Sequence, residues 1–170
     1  MRTLLICGLL AAAHATTLQQ LGLDDMIQKS TAIVRGRVQS SGGVIHGSSI
    51  YTRYTVQIVE QWKGVPTAQI DFLVPGGTAN GLQQSIAGAP TFTNGQEYVL
   101  YLWTSRSGLT QVIGLSQGVF VSANGMVSRP TITEHMLDAA GAEASDSGMQ
   151  MTLQAMRTRI ATALKARPPQ

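Results

Sequence analysis

The run Ile50 to Gly64, Ile-Tyr-Thr-Arg-Tyr-Thr-Val-Gln-Ile-Val-Glu-Gln-Trp-Lys-Gly, restricts the folds open to this chain more than any other stretch. Ile50, Thr52, Tyr54, Val56, Ile58, Glu60 and Trp62 alternate with Tyr51, Arg53, Thr55, Gln57, Val59, Gln61 and Lys63. A period of two in β-branched and aromatic residues predicts a strand with one buried face. At ~3.3 Å per residue it would extend ~45 Å, too far to stay flat in a small domain, so it is expected to coil. Its apolar face, Ile50 through Trp62, should meet Val34 and Val38 on one side and Ile70, Phe72 and Val74 on the other.

What precedes the fold reads as an export signal over residues 1–15. Arg2 gives the positive start, Leu4 to Ala13 the apolar stretch, and Ala13-His14-Ala15 a small-x-small cleavage site before Thr16. That stretch is shorter than the ~20 apolar residues a membrane span needs, and no later stretch approaches that length. The one cysteine, Cys7, falls inside the signal. The expected product is secreted or periplasmic, without disulfides, thiol nucleophiles or cysteine metal sites, and held together by its core alone. The formal net charge is +3, part of which is Arg2, too little to imply nucleic acid or another polyanion as partner.

The remaining residues suit one β-rich domain over 16–128, a linker over 129–148 and a helix over 149–167. Asp24-Asp25 mark the first turn of a short helix beginning near Leu23. Ala32 to Val38 is a strand with Gly36 on its buried face, a position typical of a bulge. Ser41 to Ser49 reads as a polar loop, and Gln69 to Val74 as a further strand. The stretch from Pro75 to Gln96 is irregular, with Gly76, Gly77, Gly81, Gly88 and Gly95 along it. Loops of that length are usually functional or disordered. Glu97 to Trp103 is apolar on both faces, as a central strand is, and Leu109 to Leu115 pairs with it. Asn124-Gly125 predicts a tight hairpin between Val119–Val121 and Met126–Val127. Ala139 to Gly148 is almost all small or polar. Met149, Leu153, Met156, Ile160 and Leu164 then make an amphipathic stripe, with Ser147 and Gln150 as a capping box and Pro168-Pro169 as its stop. The stripe is expected to pack on the chain's own core.

Several constellations invite a chemical reading. Gly114-Leu115-Ser116-Gln117-Gly118 matches a nucleophile elbow, but a strand follows it where the elbow needs a helix, and His135 precedes Asp138. A turn or bulge between strands explains it better. His46 and His135 lack metal-ligand spacing, so a site built with Asp24, Asp71 or Asp138 is the weaker reading and neither metal nor cofactor is expected. Thr78-Ala79-Asn80-Gly81 lacks the Gly-Lys-Ser/Thr ending of a phosphate loop.

The segments Ser30 to Val38, Tyr54 to Gly64, Gln69 to Phe72 and Gly95 to Leu100, with their Trp-Lys-Gly and Gly-x-Glu-Tyr turns, resemble the barrel of the tissue inhibitors of metalloproteinases and of netrin-like modules. The resemblance spans about Ser30 to Val121. It implies a mainly β fold: a five-stranded OB-type barrel with a short N-terminal helix and a C-terminal amphipathic helix. Thr16 stands where those inhibitors begin with a zinc-chelating cysteine, and their disulfide cysteines are absent. The resemblance therefore implies the fold without the chelation. The expected function is an exported non-enzymatic module that binds an unidentified protein or small ligand outside the cytoplasm through rim loops 41–49 and 75–91. Gly76, Gly77, Asn80, Gln83, Gln84 and Ser85 are the candidate ligand contacts. The alternatives are a protease inhibitor acting by loop insertion and a serine hydrolase using Ser116.

Overall fold

In chain order the elements are β1 (Leu18–Gln19), α1 (Leu23–Lys29), β2 (Ala32–His46), β3 (Ser49–Lys63), β4 (Gln69–Pro75), β5 (Gly77–Ala79) and β6 (Leu82–Gln84). There follow β7 (Glu97–Thr104), β8 (Thr110–Val112), a 3-10 turn (Leu115–Gly118), β9 (Val119–Ala123), β10 (Met126–Arg129), β11 (Met136–Leu137), β12 (Glu143–Ala144), β13 (Met149–Thr152) and α2 (Leu153–Lys165). Among the described residues the fold is thus mainly β with two helices. This computed structural model describes residues 17–166. The expected signal with its cleavage site, and Pro168-Pro169, lie outside the described residues.

The main sheet runs β13-β10-β9-β7-β2-β3-β4, with β8 also on β7. β4 and β13 end the ladder without pairing to each other, so hydrogen bonds do not close the expected barrel. β4 and β8 nevertheless approach within 8 Å between Cα atoms. β7 takes β2 along one edge, and β9 and then β8 along the other. The 3-10 turn is therefore an interruption within one strand-like run, which is how the Gly-x-Ser-x-Gly sequence folds.

The pairing of the long strand β3 with β2 is interrupted by register shifts. At one of them Arg35 faces Glu60 while Gly36 faces Ile58, so Val59 has no partner and turns to solvent. A single unpaired residue swaps the faces of everything after it. Tyr54, Val56 and Ile58 therefore join one core with Val34, Val38, Phe72, Val74, Leu100 and Leu102. Trp62, expected on that face, instead packs in a second core with Ile33, Val99, Tyr101, Phe120 and both helices. Gly36 permits the shift. A Cβ there would lie 2.4 Å from Val56 Cγ1 and 2.7 Å from the Gln57 carbonyl oxygen.

Beyond Ser40 the β2–β3 pair continues to a tight turn after His46, so the expected loop 41–49 is mostly strand. Gly43 leaves room for the small hairpin β5–β6 to lie against this arm. A Cβ on Gly43 would be 1.8 Å from the Thr78 carbonyl oxygen. The hairpin at Asn124-Gly125 forms as expected, with both residues at positive φ (50° and 73°).

The C-terminal part departs from its sequence reading in two respects. The segment 129–148, read as a linker, contains β11 and β12, which join β1 in a small sheet, and Ile132 and Met136 pack there with Leu18. Residues Met149–Thr152 form a strand on β10, so the helix begins later than expected. Its N-cap is Thr152, whose hydroxyl accepts from Ala155 N–H at 3.0 Å, in place of Ser147 with Gln150. The helix face itself follows the sequence pattern: Met156 and Ile160 are buried against the sheet and α1.

Candidate functional site

The segment between β6 and β7 closes one end of the first core. Its Phe92 ring sits among Tyr54, Phe72 and Tyr98 at centroid distances of 4.8, 5.1 and 5.0 Å. Edge-to-face contacts at this range add to the burial of each ring. Tyr98 also accepts a hydrogen bond from Thr93 N–H at 3.0 Å. With Phe92 as its plug, the stretch Gly88–Thr91 is held at the surface, and clefts open on its flanks.

One cleft, of about 330 Å³, lies in the gap between β4 and β8 beneath Leu18 and Leu21. A second, of about 370 Å³, lies between Gly88–Thr91 and the chain from Arg129 to Glu134. A third, of about 180 Å³, lies beside Thr52 and Tyr54. Gly76, Gly77, Gln84 and Ser85 line this smallest one.

Most of the sequence-predicted contacts have structural duties. Gly76 N–H donates to the Ile50 carbonyl at 2.8 Å, and its own carbonyl accepts from Thr52 Oγ1 at 3.0 Å. A side chain on Gly77 would collide with Thr52, its Cβ only 2.3 Å from Oγ1. Gln84 Oε1 accepts from Ile50 N–H at 2.8 Å. Together these fasten β5–β6 to the arm. Asn80, at φ 50°, forms the hairpin tip with Gly81. Gln83 and Ser85 are exposed, and neither Asn80 nor Gln83 lines the small cleft.

The second cleft has the richer chemistry. Arg129 lines it and is 7% exposed. Asp146 accepts from Arg129 Nη2 at 2.6 Å and from Nη1 at 3.1 Å. The same carboxylate accepts from the backbone N–H groups of Ile132 and Gly148, each at 2.9 Å. Burial alone would raise its pKa, but the Arg129 and backbone hydrogen bonds outweigh that and hold it below the usual carboxylate range. Glu134 runs along Gly88, where a Cβ would lie 3.1 Å from its Cγ. Neither Arg129 nor Asp146 stands out in the sequence. The one available signal is the isolation of Arg129, a lone charge among apolar and hydroxyl residues.

Ser116 also lines this cleft, but its Oγ is buried without a hydrogen-bond partner. His135 faces Glu143 instead, Nδ1 to Oε1 at 3.8 Å. The candidate metal ligands are likewise dispersed. Asp24 pairs with Arg159 at 2.9 Å, Asp71 accepts from Thr55 Oγ1 at 2.8 Å, and Asp138 accepts from the N–H groups of Ala140 and Ala142. Among the described residues no group of three His, Cys, Asp or Glu side chains could hold a metal, and no helix is long and apolar enough to cross a membrane.

On the opposite side of the sheet, Glu60 joins Arg35 and Arg157, and Glu97 joins Arg35 and Arg37. This network ties α2 to β2, β3 and β7. For Glu97, the Arg37 hydrogen bond leads, and with Arg35 it overcomes burial and lowers the pKa. For Glu60, burial opposes, but hydrogen bonds from Trp62, Arg35 and Arg157 prevail and lower it too. No protein-family model matches this chain, and neither does any curated protein.

Proposed function

We infer that the protein is an exported, non-enzymatic binding module built on a five-stranded OB/netrin-like barrel of β2, β3, β4, β7 and β8. One core supports the barrel reading, because all five strands contribute to it: Val34, Val56, Phe72, Leu100 and Val112 all belong. The observation that carries the binding reading is the cleft of about 370 Å³ between Gly88–Thr91 and Arg129–Glu134. Its size lies within the ~300–1,000 Å³ of small-ligand sites, and it combines apolar walls with a few polar groups. One of its walls, Gly88–Thr91, comes from the 75–91 stretch expected from the sequence, while the hairpin-tip residues Asn80 and Gly81 do not line it.

The hydrolase alternative lacks support because a serine nucleophile needs a base in hydrogen-bond reach, and Ser116 Oγ has no partner.

Fragment screening of the mature chain by amide NMR tests the reading. Shifts are expected to cluster on Gly88–Thr91 and Thr131–Glu134; clustering elsewhere, or none, rejects this site. Export is tested by mass spectrometry of the protein recovered outside the cytoplasm, which should begin at Thr16.

A further inference from the structure

Among the described residues Trp103 is the one exposed Trp, Tyr or Phe, with 44% of its surface open. It shares a face of β7 with Val99 and Tyr101, which pack with α1 in the second core. α1 stops at Lys29, so the next residue along that face is left uncovered. The other tryptophan, Trp62, packs in that core. The Trp103 indole lies in a groove of about 470 Å³ with Gln19, Lys29 and Gln111. Gln111 is its cross-strand partner on β8, so the two side chains stand side by side on one face. The end of α1 is tied to β7 through Thr31. Its N–H donates to the Leu102 carbonyl at 2.8 Å, and its Oγ1 accepts from Thr104 N–H at 2.9 Å. Gln19 is held at the groove by Gln117, whose Nε2 donates to its carbonyl at 2.9 Å.

These four side chains are free to bind. None of Trp103, Gln111, Gln19 and Lys29 has a side-chain hydrogen bond, ring contact or ion pair within the described residues. Elsewhere the glutamines are tied down: Gln61, Gln84 and Gln117 each clamp backbone groups. Lys29 is the one charge in the lining. Asp25, one turn earlier, is turned to the start of α1, where its carboxylate accepts from Gly22 N–H at 3.3 Å. The groove thus offers a flat apolar ring, two amides that both donate and accept, and one cation. A pyranose matches that set, since its C–H face is apolar and the hydroxyls around its edge both donate and accept. A carboxylate on the same ring makes use of Lys29. A single cation is too little for a polyphosphate, and a planar aromatic ligand would leave the amides unused.

We propose that this groove binds a saccharide that contains a hexuronic acid. One pyranose ring lies on the face of Trp103, its hydroxyls exchange hydrogen bonds with Gln111 and Gln19, and its carboxylate meets Lys29. The site goes beyond the cleft between Gly88–Thr91 and Arg129–Glu134, with which it shares no lining residue. Trp103, Gln19 and Lys29 are exposed and Gln111 is half-buried, so a ligand reaches them without any movement of the core. The groove volume lies within the ~300–1,000 Å³ of small-ligand sites. One stacking surface and one exposed ion pair give weak binding, with Kd on the order of 0.1–1 mM.

The test titrates the mature chain with trigalacturonate, trimannuronate, the methyl ester of trigalacturonate, and citrate, an anion without a sugar ring. The indole N–H signals of the two tryptophans report the site by NMR, and Trp103→Phe assigns them. At least one uronate should shift the Trp103 indole saturably and leave that of Trp62 in place. Which of the two does so tells a galacturonan source from a mannuronan one. The ester should bind about threefold more weakly than its acid, the size of one exposed ion pair, and Lys29→Gln should bring the acid to the ester's affinity. Trp103→Ala should weaken the uronate more than about tenfold. Should that variant fail to fold, Gln111→Ala leaves the indole in place and should weaken the uronate about fivefold. The proposal is overturned if neither uronate shifts the Trp103 indole, if citrate shifts it as much as they do, or if the ester binds as tightly as the acid. None of these results touches the cleft at Gly88–Thr91, whose own screen reads different amides.

Discussion

Asp146 grips the guanidinium of Arg129 through both carboxylate oxygens, at 2.6 and 3.1 Å, and so fastens the segment 129–148 to the end of β10. The two side chains are 11% and 6% exposed. Removing one member of such a pair strands the other charge in a poorly solvated place. Asp146→Ala should therefore cost about 3 kcal/mol or more, with the loss of its bonds to Ile132 and Gly148 included. Urea unfolding measures it. The double variant Arg129→Met/Asp146→Leu should recover most of the loss, because no unpaired charge remains.

The same carboxylate sets an acid limit, together with Glu60 and Glu97. All three have folded pKa values below their ordinary ones. A depressed folded pKa gives stability that is present above the unfolded value, about 3.9–4.3, and is lost as pH falls through the folded value. Thermal midpoints should hold from neutral pH to about pH 5 and then drop steadily below about pH 4. In Asp146→Asn the acid part of that curve should flatten. A wild-type midpoint that does not change down to pH 3 would falsify the assignment.

The arm and the small hairpin meet at Gly43 and Thr78. Because a Cβ at Gly43 would fall 1.8 Å from a backbone oxygen, no rotamer can relieve the clash. Gly43→Ala should push β5–β6 off the arm at a cost of about 1–3 kcal/mol. Hydrogen exchange locates the effect: the amides of Thr78 and Gln83 should lose protection, while those of β7 keep theirs. Gly42→Ala is the control, since nothing lies within 4 Å of a Cβ there.

The sequence disclosed what is local and hid what depends on distant partners. The two-residue period of β3 could be followed as far as Ile58, and the Asn124-Gly125 turn needs only its own dihedrals. The unpaired Val59 could not be foreseen from β3 alone, because the shift arises in its pairing with β2 at Gly36. The segment 129–148 reads as a linker because its partners are remote: Leu18 beside Met136, and Gln20 on the Ser145 carbonyl. The structural duties of the candidate contacts were hidden for the same reason. Gly76, Gly77 and Gln84 look suited to a ligand until the arm they hold is in view. Ser116 carried a recognisable motif, but its cleft requires Arg129 and Glu134 from a later part of the chain.

Gln117, from that same motif, anchors the start of the described chain. It is 2% exposed, its Oε1 accepts from Leu21 N–H at 2.8 Å, and its Nε2 donates to the Gln19 carbonyl at 2.9 Å. These two bonds reach across the sequence and hold the strap from Leu18 to Leu21 over the gap between β4 and β8. Gln117→Leu retains the volume but leaves the Leu21 N–H and the Gln19 carbonyl unpaired, at about 1–3 kcal/mol for each group that stays buried. Its other holds are local to it: Leu18 in its small core, the β1–β11 pairing, Gln20 Nε2 on the Ser145 carbonyl at 2.9 Å and Leu21 against the second core. The loss should therefore appear as local opening ahead of global unfolding. Limited proteolysis should cut Gln117→Leu within residues 17–22 several times faster than the parent, with the rest of the chain as resistant as before. Equal cutting rates in the two proteins would mean that the β1–β11 pairing holds the strap without Gln117.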